Sequence, residues 1–543
     1  MQRAYIGVDV GTGSARAGVF DAAGRLLGSA KHPIRMWREA GDVVEQSSDD
    51  IWAACVAAVH GAMAESGVEA AAIAGIGFDA TCSLVVLDAD LRPVTVSPSA
   101  DPARNVIVWM DHRAMAETDR LNATGHAVLA HVGGQISPEM ETPKLLWLKT
   151  HLPESWARAA HFLDLSDFLT LMATGDLARS TCTVTCKWTY LAHENRWADD
   201  FFHAGGLGDL ADEGHARIGT RIVDPGVPLG SGLTEAAART LGLRPGIPVG
   251  AALIDAHAGG VGTIGGQDAA GAPVNPESRI AFIMGTSACA MAVAAAPRFV
   301  DGVWGPYYSA MVPGLWLTEG GQSAAGAAVD RIVAMHPAHA ALKAEAAAAG
   351  IGLLELLERE LTAAAPSLAE AAYAAANLHV VPDLLGNRSP FADPDMRGLI
   401  AGLDLDDGRD GVAKLYAAVL CGLSYGAAQI LDALEAAGYG LETVVMSGGA
   451  SHSPLVRQIM ADATGRRVAL PETAEPVLLG AAMLGAMAAG DFPDMGAAMA
   501  AMSRDGAETL PAGGAVAAFH AKKRAVFELL QTAEGETRRL MRG

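Results

Sequence analysis

Two similar segments lie about half the chain apart. In each, a short apolar run that favours a β-strand ends in a turn of glycine, threonine and serine, and a second small, apolar run comes after it. The first turn is Gly11-Thr12-Gly13-Ser14 and the second is Gly285-Thr286-Ser287. One such turn is common in an ordinary hairpin. Two copies predict two similar half-molecules, each with a loop whose backbone N–H groups can bind a chain of phosphates.

The length of the chain agrees with such a duplication. At 543 residues it exceeds the size that one hydrophobic core usually reaches. Hydrophobic residues make up 51% of the sequence and aromatic residues 5%, a composition typical of α/β enzymes with many packed helices. We place the domain boundary between residues 259 and 278, which gives an N-terminal domain at 1–265 and a C-terminal domain at 278–543.

Apolar periodicity and turn residues predict a mixture of strands and helices. The predicted strands are 5–10, 15–20, 73–79 with its partner 83–87, and 443–447; the predicted helices are 51–65, 113–121 and 412–437, with further helix in 338–376. Strands that alternate with helices indicate a layered α/β architecture.

The charge and the cysteines limit the class of partner. A net charge of −22, from 39 basic and 61 acidic residues, disfavours nucleic acid and favours a small ligand. The six cysteines are scattered, and no second pair at metal-binding spacing accompanies Cys182 and Cys186, so we expect buried thiols in a reducing compartment. The first residues lack the apolar core of a signal peptide, and the apolar windows are too short or too polar to span a bilayer. We expect a cytoplasmic protein without a membrane partner, either monomeric or homodimeric.

The types of phosphate-binding loop differ in the residues after their glycines. A dinucleotide-binding loop needs a third glycine where this chain has Arg16, with a helix after it. A P-loop needs lysine and a hydroxyl residue where apolar residues come after Gly18, so this type also fails. The remaining type is a hairpin turn that faces a phosphate chain, with Asp9 placed to hold Mg²⁺ through water. Considered alone, the first segment could equally be a plain β-turn without a ligand. The second segment and Gly448-Gly449 count against that alternative.

Three motifs stand in the order found in the actin-like ATPase superfamily. Asp9-x-Gly11-Thr12-x-Ser14 and Gly285-Thr286-Ser287 match its two phosphate motifs, and Ser447-Gly448-Gly449-Ala450 matches its adenosine motif. Within the superfamily, the chain resembles the FGGY carbohydrate kinases over nearly its whole length. The further matching segments are 109–113, 143–147, 255–259, 320–323 and 386–390. Their joint order is similar to that of the ribulokinase branch, which phosphorylates pentuloses such as D- or L-ribulose.

The resemblance implies an α/β fold of two actin-like, ribonuclease H-like domains. Each domain would hold a mixed five-stranded sheet flanked by helices, with ATP and sugar in the cleft between them. It implies an ATP-dependent kinase, using Mg²⁺, that phosphorylates the terminal hydroxyl of a ketopentose, with D-ribulose to D-ribulose 5-phosphate as the first choice. Other acceptors in the same class are L-ribulose, xylulose or a pentitol such as ribitol. Alternatives of another class are a non-catalytic sugar- or nucleotide-binding regulator and an ATPase that works by conformational cycling.

Asp255 is the candidate catalytic base. It lies in an apolar segment flanked by glycines, close to the domain boundary. A carboxylate there can accept the proton of a sugar hydroxyl during attack on the γ-phosphate. A helix-capping aspartate would give the same local sequence. The resemblance assigns the catalytic role to this position, and we predict Asp9 and Asp255 as the ligands of Mg²⁺.

The predicted sugar site combines carboxylates with an apolar wall. Asp111 is expected to accept sugar hydroxyls, although a surface charge at the start of a helix is the alternative. Lys187 is expected to face the sugar, although a lysine whose stem covers the core is the more common case. Strand ends are where ligands gather in such sheets, which makes Asp79 a candidate. The full set of predicted sugar-binding residues is Asp79, Thr81, Trp109, Asp111, His112, Lys187 and Asp255.

The predicted nucleotide site joins both turns to the adenosine motif. Arg16 matches an arginine found near the phosphates in some relatives, but its alternation with alanines would also suit a solvent-facing position on a strand. Glycerol kinases carry asparagine at the position of Ser453, so the chain departs from them there. The predicted nucleotide-binding residues are Gly11, Thr12, Gly13, Ser14, Arg16, Gly285, Thr286, Ser287, Gly326, Gly448, Gly449 and Ser453.

Overall fold

The first half of the chain forms two five-stranded sheets. The structure, a computed structural model, describes residues 3–40 and 42–542. The strands of this half are β1 (Ala4–Gly11), β2 (Ser14–Asp21), β3 (Leu26–Pro33), β4 (Met36–Glu39), β5 (Val43–Gln46), β6 (Ile73–Ala80), β7 (Leu84–Leu87), β8 (Val106–Ile107), β9 (His161–Asp164), β10 (Arg179–Ser180), β11 (Ile222–Val223) and β12 (Leu253–Ile254). The helices are α1 (Ser48–Ser66), α2 (Met115–Asn122), α3 (Glu141–His151), α4 (Pro153–Arg158), α5 (Leu165–Thr174), α6 (Thr181–Lys187), α7 (Asp199–Gly205), α8 (Gly208–Asp212), α9 (Glu235–Leu241) and α10 (Asp255–Ile264).

The main sheet of the first half has the order β12-β6-β1-β2-β3. Strands β1, β2 and β3 are antiparallel neighbours, whereas β6 runs parallel to β1, and β12 parallel to β6. The strands predicted at 5–10, 15–20 and 73–79 are confirmed. The segment 83–87 does form a strand, but the prediction that it pairs with β6 is wrong. Since β1 and β12 occupy both edges of β6, β7 pairs instead with β8 and β9 in the second sheet.

The second half of the chain contains a seven-stranded sheet. Its strands and those of a small hairpin are β13 (Arg279–Met284), β14 (Ala288–Ala294), β15 (Trp304–Tyr308), β16 (Trp316–Gln322), β17 (His379–Val381), β18 (Leu399–Ala401), β19 (Thr443–Ser447), β20 (Arg467–Pro471) and β21 (Asp505–Thr509). The helices are α11 (Gly326–Ala334), α12 (His339–Ala348), α13 (Leu353–Ala364), α14 (Arg409–Ala436), α15 (Pro454–Thr464), α16 (Pro476–Ala488), α17 (Met495–Met502) and α18 (Gly514–Arg542). Short 3₁₀ helices lie at Ala70–Ala72, Ala127–Val132, Pro276–Ser278, Ala369–Ala375 and Gly449–His452.

Five strands of the larger sheet repeat the topology of the first sheet. The order β20-β19-β13-β14-β16 has the same succession of parallel and antiparallel pairs as β12-β6-β1-β2-β3. Each glycine turn therefore joins the central hairpin of its sheet. The prediction of two α/β halves with mixed sheets is confirmed. The second sheet exceeds the predicted five strands because β15 and β21 add antiparallel edges to β16 and β20.

The predicted helices are present with shifted ends. Helix α1 begins before the predicted start because the Ser47 hydroxyl accepts the Asp50 N–H and caps it. The predicted helix at 113–121 is α2, and the region 338–376 divides into α12, α13 and a 3₁₀ helix. The predicted helix at 412–437 is α14, the one described helix that is long and apolar enough to cross a membrane by length and composition. Of its most apolar window, 89% is buried, and its side chains belong to the core of the second half.

Helix α16 connects the two halves. It comes after most of the larger sheet in sequence, but it packs on β1 and β6 of the first sheet and on α10. The contact is backbone to backbone: a Cβ atom at Gly7 would lie 1.9 Å from the carbonyl oxygen of Leu478, and one at Gly77 would lie 1.9 Å from that of Ala481. Glycine is required at both positions because any side chain would displace the helix. The first sheet and α10 therefore share a core with a helix from the second half.

Candidate active site

A cavity of about 300 Å³ lies where the two halves meet. The first turn, the second turn and the start of α10 border it. The predicted site residues in its lining are Asp9, Gly11, Thr12, Arg16, Thr81, Trp109, Lys187, Asp255, Gly285, Thr286 and Ser287. A larger open groove of about 730 Å³ lies at 190–222. Because the lining of that groove contains none of the predicted site residues, we assign the active site to the cavity.

Asp9 and Arg16 face each other across the β1–β2 hairpin. The Asp9 side chain is buried, and Arg16 Nε donates to its Oδ2 at 2.6 Å. Arg16 Nη1 also donates to Glu475 Oε2 at 2.9 Å, just before α16. Burial opposes the guanidinium charge, but the carboxylates of Asp9 and Glu475 raise the pKa of Arg16. Arg16 is thus held at the cavity by two carboxylates instead of extending freely into solvent.

Asp79 lies beside Asp9 on the neighbouring strand β6. Its side chain is fully buried and does not line the cavity. Burial and the negative charge of Asp9 raise the pKa of Asp79 well above its usual range, which favours the neutral form of this carboxyl. The structure therefore places Asp79 beneath the first turn and not on the sugar wall.

Asp255 is the first residue of α10, at the carboxyl end of β12. Ile254 occupies the capping position, and Asp255 Oδ1 accepts only the neighbouring Ala256 N–H, at 2.7 Å, among the contacts of the described chain. Its carboxylate is thereby left at the cavity. Burial and the charge of Asp9 raise the pKa of Asp255 to about 6. A carboxylate with this pKa is ionised at neutral pH and is a stronger base than an ordinary aspartate.

The second turn is held by backbone contacts. Gly285 N–H donates to the Ser287 carbonyl at 2.9 Å, and Gly326 N–H, at the start of α11, donates to the Gly285 carbonyl at 2.9 Å. The Ala325 N–H donates to the Thr286 carbonyl at 2.9 Å. A Cβ atom at Gly326 would lie 2.8 Å from the Gly285 oxygen. Gly326 therefore supports the second turn from behind and does not itself line the cavity.

Several other predicted nucleotide-binding residues also lie outside the cavity lining. Gly448 has φ +85° and sits against β13, where a Cβ atom would lie 2.6 Å from the Met284 carbonyl oxygen; Gly449 has open space around its Cα. The Ser453 hydroxyl accepts the Val456 N–H at 3.1 Å and caps α15, a structural role that the departure from the glycerol kinase pattern accommodates. In the first turn, Gly13 and Ser14 do not line the cavity, and the Gly13 carbonyl accepts the Ile34 N–H at 3.1 Å.

Besides Asp79, two further predicted sugar-binding residues, Asp111 and His112, do not line the cavity. Asp111 is fully buried, and its carboxylate accepts the Val44 N–H at 2.6 Å and the backbone N–H, Nε–H and Nη2–H groups of Arg113 at 2.7–2.9 Å. It has no capacity left for a sugar hydroxyl, so its role is to hold the strand β5 to the 109–113 loop. His112 is half-exposed, with Nε2 3.8 Å from Glu139 Oε1, and the nearby Glu139 carboxylate raises the pKa of His112. His112 reaches the cavity only through Glu139.

Sequence analysis missed four residues that complete the sugar side of the cavity. They are Glu139, Trp304, Glu319 and Arg388. Arg388 lies within the matched segment 386–390, and Glu319 immediately precedes the matched segment 320–323, so both could have been found from their neighbours. Glu139 and Trp304 carry no such signal in the sequence.

These four residues line the same cavity as Lys187, and three of them are charged. The Trp304 ring lies between Lys187 Nζ, 5.0 Å from its centroid, and Arg388 Cζ, 5.4 Å from it. Arg388 Nη2 lies 3.7 Å from Glu139 Oε1, across the boundary between the two halves. Burial opposes the ionised form of Glu139, but Arg388 and His112 lower its pKa. Lys187 therefore faces the cavity, as the sequence predicted. It is one of several buried charged residues there whose positive and negative charges balance.

Glu319 is fixed by a histidine behind the cavity. His257 Nε2 lies 3.4 Å from Glu319 Oε2, and His257 Nδ1 lies 3.0 Å from the Cys182 Sγ atom. Burial would raise the pKa of Glu319, but Lys187 and His257 lower it to about 2. Burial would lower the pKa of His257, but Cys182 and Glu319 raise it to about 9. Cys182 is a buried free thiol, and the carboxylate of Glu319 stays ionised in the cavity.

Comparisons with known proteins agree with this arrangement. Residues 4–262 match the N-terminal domain, and residues 280–489 the C-terminal domain, of the FGGY family of carbohydrate kinases. An FGGY carbohydrate kinase domain-containing protein of Homo sapiens is 47% identical over 517 residues, covering 94% of this chain and 93% of that protein. A D-ribulokinase of Saccharomyces cerevisiae is 36% identical over 515 residues, covering 90% of this chain and 72% of that protein. The crystal structure of a xylulose kinase from Rhodospirillum rubrum superposes with a TM-score of 0.79 at 22% identity, covering 98% of this chain and 99% of that chain.

The chain therefore belongs to the FGGY family of carbohydrate kinases. It is a phosphotransferase with an alcohol group as acceptor, built on the two-domain actin-like fold that its sequence predicted. The similarity to the yeast enzyme confirms the ribulokinase-like branch.

Proposed function

We propose that this kinase uses ATP to phosphorylate the terminal hydroxyl of a ketopentose, and that D-ribulose is its acceptor. The similarity to the yeast D-ribulokinase supports the acceptor. The observation that carries the proposal is the position of Asp255, with its carboxylate in a cavity between two phosphate-binding turns. A base, phosphate donors and a polar acceptor site are the parts that phosphoryl transfer requires.

Two carboxylates that line the cavity, one before the first turn and one at the start of α10, fit Mg²⁺. Among the residues that the structure describes, no three His, Cys, Asp or Glu side chains converge into a metal cage. Mg²⁺ is usually held by one or two carboxylates together with substrate phosphates and waters. Asp9 and Asp255 offer that donor set at the cavity. Bound there with ATP, Mg²⁺ would neutralise charge on the phosphates.

The opposite side of the cavity suits an uncharged polyol. Lys187 and Arg388 supply donors, Glu139 and Glu319 supply acceptors, and their charges balance. Each hydroxyl of a pentulose both donates and accepts, so a wall of buried, ionised donors and acceptors gives charge-assisted hydrogen bonds. An analogue that lacks a hydroxyl would leave one of these groups without a partner, which gives the site its selectivity.

The reaction can be derived from these positions. The terminal hydroxyl oxygen forms a bond to the γ-phosphorus while the bond to the β–γ bridging oxygen breaks, and ADP leaves. Asp255 accepts the hydroxyl proton. The contact between Glu139 and Arg388, 3.7 Å across the two halves, supports closure of the cavity around both substrates, which would exclude water from the γ-phosphate.

The test is ADP release with Mg²⁺ and ATP against D-ribulose, L-ribulose, xylulose, ribitol, a hexulose and glycerol. We expect the largest kcat/KM with D-ribulose. Asp255→Asn should lower kcat by at least about 10³-fold while the chain still binds nucleotide, because the base is lost while Asp9 and the phosphate turns remain. The matched control is Asp119→Asn, the same substitution at an exposed position of α2 outside the cavity. ADP release that is independent of any acceptor would overturn the kinase proposal, and preference for another sugar would replace D-ribulose by that sugar.

A further inference from the structure

Trp109 and Thr12 connect the sugar wall to the first phosphate turn. Trp109 Nε1 donates to Thr12 Oγ1 at 3.0 Å, and both residues line the cavity. Sequence analysis assigned Trp109 only an apolar face and Thr12 only a phosphate contact. The hydrogen bond gives the indole a second role, because it fixes a hydroxyl that belongs to the other substrate's site.

A closed circuit of hydrogen bonds holds this pair in place. The Trp109 backbone N–H donates to Ser83 Oγ at 3.1 Å, and Ser83 Oγ lies 3.2 Å from Thr81 Oγ1. The Thr81 N–H donates to the carbonyl of Val10 at 2.9 Å, one residue before the turn that carries Thr12. The path therefore returns to its starting point through two residues that line the cavity, Thr81 and Trp109. Movement of the indole would be transmitted to the turn.

The direction of the central bond fixes what the Thr12 hydroxyl can do. An indole N–H can only donate, so the threonine oxygen is the acceptor and its own hydrogen stays available. The Thr12 carbonyl is separately held, since it accepts the Gln46 Nε2–H at 2.7 Å. No other described group accepts the hydroxyl hydrogen of Thr12. That hydrogen is thereby left free to donate to a phosphate oxygen in the cavity.

We propose that Trp109 is a positioning residue that presets the Thr12 hydroxyl as a donor to the bound phosphates, so that the sugar wall and the first phosphate turn act as one unit. The proposal rests on the kinase function proposed above. It assigns the indole N–H to phosphate positioning and the indole ring to the sugar wall. These two roles are separable by substitution.

The test is a double-mutant cycle of Trp109→Phe and Thr12→Val with kinetics for both substrates. Phenylalanine keeps an aromatic wall and deletes the donor, so kcat should fall about tenfold while the KM for the sugar stays within about twofold. Thr12→Val should lower kcat at least as much, because it deletes the hydroxyl itself, and the double variant should lose little more than Thr12→Val alone, because the indole N–H then has no hydroxyl to position. Thr12→Ser keeps the hydroxyl, so its kcat should be much closer to that of the unsubstituted enzyme than the kcat of Thr12→Val. Trp147→Phe is the matched control, since Trp147 packs against Arg113 outside the cavity.

A second measurement separates this proposal from the kinase proposal. Calorimetric titration with Mg²⁺ and the non-hydrolysable analogue AMPPNP needs no acceptor. We expect Trp109→Phe to weaken binding about fivefold and Thr12→Val to weaken it at least as much, without additivity in the double variant and with unchanged melting temperature. Additive losses, or an effect of Trp109→Phe on the sugar KM alone, would overturn the proposal even if the enzyme is a kinase. If the losses of AMPPNP affinity are non-additive as expected but no acceptor is phosphorylated, the kinase function is overturned instead.

Discussion

The two glycine turns have the same place in their sheets but are stabilised differently. The first is held by side chains: Trp109 contacts its threonine hydroxyl and Gln46 its threonine carbonyl. The second is held by backbone, through the N–H groups of residues 325 and 326 at the start of α11. Asp9 precedes the first turn by two residues, and Ile283 takes that position before the second. The repeat thus duplicates a backbone shape, while a buried carboxylate two residues before the turn is present in the first copy and absent from the second.

The carboxylate position is where the two turns should differ most. Asp9→Asn should lower kcat/KM by roughly 10³-fold, because it removes the charge that pairs with Arg16 and that is proposed above to bind Mg²⁺. Ile283→Val, at the equivalent position of the second turn, should change kcat/KM by less than about threefold, since only one methylene is lost from an apolar wall. Steady-state kinetics over a Mg²⁺ titration checks both. Equal losses at the two positions would show that the turns share the metal.

Substitution of a glycine should affect the second turn more than the first, the reverse of the result expected for the carboxylate, and the difference should be smaller. At Gly326 a Cβ atom would press within 2.8 Å of the Gly285 oxygen, so Gly326→Ala should displace the second turn and raise the KM for ATP about tenfold. Gly13 in the first turn has no atom within 4 Å of an added Cβ, and Gly13→Ala should stay within about twofold. ATP-dependent kinetics on both variants measures this. A large effect at Gly13 would mean that the first turn also approaches the nucleotide through its backbone.

The smallest expected effect is that of the Arg16 charge on the pKa of Asp255. Asp255 works as a carboxylate, and its pKa is raised to about 6, so kcat/KM should fall tenfold per pH unit below about pH 6 and level off above it. Arg16 lowers this pKa. Arg16→Gln should therefore move the acid limb to higher pH by a few tenths of a unit. Profiles of kcat/KM from about pH 4.5 to 8 would test it, and an unshifted limb would place the titrating group elsewhere.

The backbone framework of the site could be predicted from sequence, and its sugar wall could not. Asp9, both turns and Asp255 stand in short local patterns whose chemistry depends on neighbours in the chain. Glu139 and Trp304 reach the cavity from opposite halves, and Trp304 lies on β15, an edge strand with no counterpart in the first sheet. Asp111 shows the converse error. A buried carboxylate is either a ligand group or an internal anchor. Arg113 is a near neighbour of Asp111 in the chain, but the contact with the Val44 N–H that ties Asp111 to β5 is tertiary.

The position of helix α16 in the sequence has a consequence for folding during synthesis on the ribosome. The glycine face of the first sheet is complementary to this helix, yet the helix is translated only after most of the larger sheet has been made. Domains generally fold as units in the order of synthesis. Here, however, the first sheet keeps an uncovered apolar face until α16 has been synthesised. A chaperone that shelters nascent chains would have its longest task at that face, and the last event of folding would be the one that brings the two halves of the active site together.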